Sequence, residues 1–361
     1  TNTGAGVHID GGTCDIYGTI TDNTARYTSN GHGGGVSISA GECDIYGTIT
    51  KNTATVNGGG VYAAGGTCNI YGTVTENTAV NGGGVYVAPG AQVNTKNGGS
   101  SGLSRITKNT ASANGGGVYL SGGTEWDNVC DITLNNANAG GGIFGMDGCH
   151  LTIRLGSISY NTAQLRGGGL YLSDSSENPC IVDITNWVIK NNDGNNLKPD
   201  NIDSLGSKIT YDRGLSAQDT LPYDEPGSII LRNTASFTIM GGKYTAANIS
   251  SCFTRYSDNK ILIAGGFYDK DPAQESALTV LDNVKVIELD GDIGYNQYDP
   301  DYPWAVYAVK DGIMSGTSNN PVYDGASIEK DGDFSLSRAA DIRKCYYWSK
   351  AQGAEGSCYV A

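Results

Sequence analysis

Proline occurs nine times, phenylalanine five times, and methionine and histidine three times each in the 361 residues. Windows rich in alanine, leucine, glutamate and lysine are few, so long helices are not expected. No stretch of 18 apolar residues exists, so no membrane insertion is expected. Basic runs are also missing. The formal net charge is −14 and the isoelectric point about 4.5, which argues against nucleic acid and anionic membranes as partners. There is no Cys-x-x-Cys pair and no Cys/His cluster of metal-binding spacing. None of His8, His32 and His150 lies beside a recognisable nucleophile motif, so no catalytic set is assigned. No signal peptide opens the chain. The first residues, TNTGAGVHIDGG, already read as the interior of a repeat. The chain is therefore expected to be part of a longer polypeptide.

Glycine, in contrast, occurs 54 times and tyrosine 22 times. The glycine share is roughly twice the average, without a collagen period, so it serves turns and close approaches. Self-similarity orders these residues. Glycine triplets begin at Gly33, Gly58, Gly82, Gly115, Gly140 and Gly167, at spacings of 25, 24, 33, 25 and 27 residues. Each unit of about 25 residues reads strand, turn, strand, turn, strand, with apolar residues alternating. Strands this short bury a face only by coiling and stacking on the next copy.

Stacking predicts inward columns. One holds Val36, Val61, Val85, Val118, Ile143 and Leu170. A second holds Ile16, Ile45 and Ile70, and a third Ile20, Ile49, Val74, Ile106 and Ile158. Asn23, Asn52, Asn77, Asn109 and Asn161 recur at one turn, where stacked amides can bond along the axis and asparagine tolerates left-handed backbone. The alanine that follows each fits a tight corner.

The expected architecture is all-β: a parallel β-helix (solenoid) of nine to eleven coils. Residues 1–190 carry the regular repeats. The polar segment 191–228 is expected to be an insertion or loop excursion. SFTIMGGKY and KILIAGGFY supply variant coils within 229–290, and 291–361 is expected to form a C-terminal β-rich cap.

The GGG-[VI]-[YF] and NTA motifs at this spacing resemble the right-handed parallel β-helix repeats of bacterial surface adhesins, especially large surface proteins of Gram-positive gut bacteria. They are also similar to the repeats of autotransporters, although Asn-Thr-Ala stands where those carry FxxN and no barrel-forming segment follows. The resemblance implies right-handed coiling, an extracellular location (bacterial cell surface or secreted), and adhesion or display toward a glycan or a host or cell-surface protein.

Parity turns two columns of aromatic side chains outward: Tyr17, Tyr46 and Tyr71, and separately Tyr62, Tyr86, Tyr119 and Tyr171, with Phe144 equivalent. Such rings either stack on sugars and proteins or pair with coil neighbours and shield strand edges. The Thr-x-Thr rows at 19–21, 48–50 and 73–75 resemble an ice-binding face, but threonine is also an ordinary exposed strand residue. Asp15, Asp44 and Asp131, with Asn69 between, are placed on one outward column, either hydrated or open to calcium; no other cofactor is implied. Cys14, Cys43, Cys68 and Cys149, with Cys130 and Cys180, are assigned to one inward column of free thiols. Cys345 and Cys358 are the disulfide candidate. A polysaccharide-active enzyme is the alternative function. Its nearest acidic cluster, Asp290, Asp292, Asp299 and Asp301, falls in the cap.

Overall fold

The computed structural model describes residues 4–27, 30–98, 102–174, 177–185, 188–194, 198–211, 225, 227–239 and 252–255, together with strands at 243–244, 260–263, 267–268 and between 304 and 360. No helix figures among its elements. The chain divides into two units, one made mainly of residues 1–208 with 224–235, the other mainly of 236–361.

The first unit is a parallel β-solenoid of about eight coils, against the nine to eleven expected for the whole chain. Equivalent residues lie directly over one another. In one sheet Ile20 pairs with Ile49, Ile49 with Val74, Val74 with Ile106, and the column continues through Ile132 and Ile158 to Ile189. In another, Val36, Val61, Val85, Val118, Ile143 and Leu170 are in register and fully buried. Neither column can bury itself within one coil, so burial comes from the stack.

The glycine triplet runs through all of this. Its first member adopts φ near +65°, as at Gly58 (+67°) and Gly82 (+63°), a region closed to most side chains. Its second approaches the next coil so closely that a Cβ on Gly59 would lie 2.5 Å from the Gly83 carbonyl oxygen. Coil spacing is therefore set by bare backbone.

The turn asparagines form a buried ladder. Asn77 donates its backbone N–H to Asn109 Oδ1 (3.0 Å), and its Nδ2 donates to that same oxygen and to the Ile49 carbonyl. Its own Oδ1 accepts from the backbone N–H and Nδ2 of Asn52. The pattern runs from Asn23 through Asn52, Asn77, Asn109, Asn135, Asn161 and Asn192 to Asn201. Left-handed backbone falls one residue earlier than expected. Asp22, Lys51, Glu76, Lys108, Leu134, Tyr160 and Asn191 have φ between 54° and 60°. The asparagine side chain turns inward only after that kink.

Part of the segment expected to be an excursion lies in the sheets. Ile202–Ser204 is inserted between Leu170–Ser173 and Ile229–Leu231, in register with both. Within it Asp203, fully buried, is held by the Arg232 guanidinium (Nε to Oδ1 2.8 Å, Nη2 to Oδ2 3.0 Å). Asp200 takes a hydrogen bond from the Gly167 N–H at 2.7 Å, while its Oδ1 is buried without a partner. Burial, then the neighbouring Asp203 charge, pushes its carboxyl up to about 7.

In the second unit the variant coils pair in register, Ser236–Ile239 with Lys260–Ile263 and Lys243–Tyr244 with Phe267–Tyr268. Trp304–Ala308, Cys345–Ser349 and Tyr359–Val360 form antiparallel strands. Cys358 and the acidic residues 290–301 lie outside the described residues, so the proposed disulfide and acidic cluster do as well.

Two stability outcomes are expected. Asn109→Ala removes the acceptor of two buried Asn77 donors and the donor to the Val74 carbonyl. It should lower unfolding free energy by about 3 kcal/mol in denaturant titration, and a loss below about 0.5 kcal/mol would show that the ladder carries little. The second concerns Asp200. The folded chain binds its proton up to about pH 7, whereas an unfolded aspartate releases it near pH 4. This group therefore makes stability fall as pH rises between those values. Asp200→Asn should raise the denaturation midpoint at pH 8 more than at pH 4; an equal shift at both would contradict the assigned titration.

Candidate functional site

The seven-stranded sheet of this solenoid bears the threonine rows. Thr19, Thr48 and Thr73 are in register, and the next coils replace them with Arg105 and then Asp131. The full two-column threonine lattice therefore ends after three coils, while its second column continues through Thr107 and Thr133. Asp131 belongs to this sheet and not to the acidic column. Asp15, Asp44 and Asn69 do share their column, which continues into Asn94. The misplacement has a local cause: CDI at 130–132 repeats the letters of CDI at 14–16, but Ile132 stacks on Ile106, not on the Ile16 column. Asn69 donates to Asp44 Oδ1 (2.8 Å) and Glu42 Oε1 (3.1 Å), so an amide offsets the carboxylate repulsion.

The thiols also divide. Cys14, Cys43 and Cys68 are in register, and Val93 follows them. Cys149 and Cys180 instead sit just before their strands, where Leu151 and Val182 take the inward position. Their sulfurs are 2.9 Å apart. The sequence carries the signal: Cys43 and Cys68 lie ten residues after the first triplet glycine, Cys149 nine, so it falls ahead of its strand; Cys149 and Cys180 are buried free thiols all the same. Cys130 hydrogen-bonds Asn128 Oδ1 and is pushed up to about 12, chiefly by burial.

Both aromatic columns run ring to ring along the coils, one stacked throughout and the other with a tilted Tyr62–Tyr86 pair and an edge-on Phe144–Tyr171 pair. His32 lies 4.5 Å from Tyr62, and Tyr86, Tyr119, Phe144 and Tyr171 follow at 4.7–5.6 Å between ring centres. This column lies on the outer side of its sheet yet is largely covered. Tyr119, Phe144 and Tyr171 are buried together with Ala139 and packed against Leu205. Tyr119 and Tyr171, expected to face solvent, thus have little ring surface to offer a ligand.

The other column differs. Tyr17, Tyr46 and Tyr71 stack at 4.8 and 4.6 Å with interplanar angles of 7° and 14°. Tyr17 is 71% exposed and Tyr46 41%. A glycine follows each ring. A Cβ on Gly47 or Gly72 would collide with the carbonyl of the preceding coil's glycine, so the turn can be this tight only without side chains. Lys96 follows Tyr71 in the column, its amide bonded to the Ile70 carbonyl. There the repeat departs from its length. The 33-residue spacing of this coil is taken up by extra chain pinched off by the Asn97–Leu103 bridge. Asn97, Gly98 and Leu103 line a groove of about 520 Å³ together with Tyr46, Tyr71, Thr48, Thr73 and Arg105. Arg105 is exposed and makes no ion pair among the described residues. The Tyr46 hydroxyl donates to Asp44 Oδ2 at 3.1 Å. That bond, then partial burial and the carboxylate charge, pushes Tyr46 up to about 12.

Flat stacked rings beside hydroxyl, amide and guanidinium groups suit a ligand with apolar faces and polar edges. Sequence reasoning singled out the three tyrosines but missed Arg105 and Asn97. Their signals were the long coil and the arginine standing where other repeats have threonine.

Asp44→Asn should bring the Tyr46 phenol down from about 12 toward the ordinary value of about 10. The measurement is an NMR titration of ζ-carbon-labelled tyrosine, with Tyr46→Phe to assign the signal. An unmoved Tyr46 would rule out the hydrogen bond as the cause.

No protein-family model, no curated protein and no solved structure matches this chain.

Proposed function

We propose that this chain is a glycan-binding display module of an extracellular, adhesin-like bacterial surface protein. The observation that supports this most directly is the Tyr17–Tyr46–Tyr71 stack, exposed at Tyr17 and Tyr46, whose Tyr46 and Tyr71 line a polar-edged groove. A pyranose presents an apolar face of C–H groups and a rim of hydroxyls. The ring edges and the uncovered end of the tyrosine stack can meet that apolar face, while Thr48, Thr73 and Asn97 line the same groove and can meet the rim. The rings repeat at 4.6–4.8 Å, and they form a continuous apolar strip along the coils. A strip of that kind suits an oligosaccharide better than a single sugar.

The rest of the chain fits a display role. Stacked coils hold the strip rigidly, so little side-chain freedom is lost on binding. The resemblance of the repeats to surface adhesins points the same way, and it is the basis for the extracellular location. A polysaccharide-active enzyme on the same fold would release product from the sugars it binds.

Immobilised hexasaccharides of glucose, mannose and galacturonate provide the test, with reducing ends measured in parallel. At least one should bind without turnover. Tyr46→Ala and Tyr71→Ala should each weaken that binding about tenfold, whereas Tyr119→Phe, in the buried column, should leave it unchanged. Binding that survives the double alanine variant would remove the platform as the site. New reducing ends would turn the assignment to an enzyme.

A further inference from the structure

We infer that the groove beside Tyr46 and Tyr71 selects a carboxylate-bearing sugar, a uronic acid, through Arg105. This rests on the sugar-binding reading above and adds the chemical class of the ligand.

Three observations meet at this position. First, Arg105 follows three in-register threonines, Thr19, Thr48 and Thr73, in its column, and Asp131 comes after it. A threonine there would satisfy strand geometry equally well, so the arginine is not required by the fold. Second, its guanidinium is left without an ion pair among the described residues, although the chain carries 37 acidic residues against 23 basic ones. Its neighbour in register is Asp131, and the two form no salt bridge within 4 Å. Third, Arg105 lines the groove together with the two tyrosines, so one ligand can meet both. Its backbone is fixed by an N–H bond to the Gly72 carbonyl at 3.0 Å, immediately after Tyr71.

The chemistry separates sugars by charge. A neutral pyranose would use the rings and the hydroxyl-bearing edge and gain one ordinary hydrogen bond from the arginine. A uronic acid offers the same apolar face and a planar carboxylate at its edge. Arginine binds such a group through two parallel N–H···O bonds. The acidic residues nearby are Asp131 on the next coil and Asp44, whose Oδ2 is held on the Tyr46 hydroxyl. The chain's overall negative charge is a weaker obstacle here than it is to nucleic acid. Charges more than about 8 Å away are screened at physiological salt, and one sugar carboxylate needs one local cation, not a phosphate-tracking basic surface.

The probes are trigalacturonate and its fully methyl-esterified counterpart, which keep similar stacking faces and differ in charge. Both are titrated calorimetrically into the whole chain, alongside a neutral gluco-trisaccharide. Trigalacturonate should bind about tenfold tighter than the ester and should weaken as sodium chloride is raised. Arg105→Gln should erase that preference, bringing trigalacturonate down to about the affinity that the same variant shows for the ester; Arg105→Lys should keep part of it. Circular dichroism checks that both variants retain the β-solenoid. Equal binding of acid and ester, or an acid preference that survives Arg105→Gln, would overturn the carboxylate assignment while leaving sugar binding intact. If the gluco-trisaccharide alone binds, the ligand class is wrong and the platform stands. If no sugar in either set of measurements binds, both readings fall.

Discussion

Everything in the regular unit depends on one constraint: each coil must lie directly over the last at β-sheet spacing, on every side at once. Glycine carbonyls and an asparagine ladder enforce it together. The second triplet glycine meets the next coil backbone to backbone, leaving no room for a different separation. The ladder then penalises slippage, because each asparagine oxygen serves donors from the neighbouring coil. A register shift would strand several buried donors at once, at a cost of roughly 1–3 kcal/mol each.

The aromatic stacks follow from that constraint. Rings projecting from identical positions of successive coils are brought 4.6–5.6 Å apart, a separation at which aromatic pairs are favourable. The same geometry gives opposite outcomes on the two columns. Around Tyr119 and Tyr171 the stack is covered by Leu205 and Ala139 and becomes a small external core. Around Tyr17, Tyr46 and Tyr71 no such cover forms among the described residues; Tyr17 and Tyr46 stay exposed and Tyr71 is half-buried. The columns diverge where a repeat departs from itself, at the long coil whose Asn97, Gly98 and Leu103 line the groove.

The repeats, the inward columns and the asparagine turns were legible in the sequence because each is a local pattern copied at nearly constant spacing. What misled was a short motif read without its phase. Cys149 lies one residue early relative to its glycine triplet, and the CDI beginning at Cys130 sits in a different sheet from its look-alikes. The left-handed position precedes the asparagine because the side chain must turn inward to reach its neighbour, a demand that residue preference alone does not express. Leu134 and Tyr160 adopt it with φ of 58° and 57°, although bulky residues disfavour it, because the stacked coils on either side fix the backbone there.

By itself the sequence determined the all-β class, the stacking of equivalent residues and the identity of the buried columns, since alternation and repeat length are properties of the chain read in order. Only the tertiary structure decided which outward tyrosines stay accessible, that Ile202–Ser204 joins the sheet, and that Arg105 and Asn97 meet Tyr46 and Tyr71 across a groove. Those outcomes depend on contacts between residues tens of positions apart. Insertions of a few residues redirect such contacts without altering the local pattern on either side.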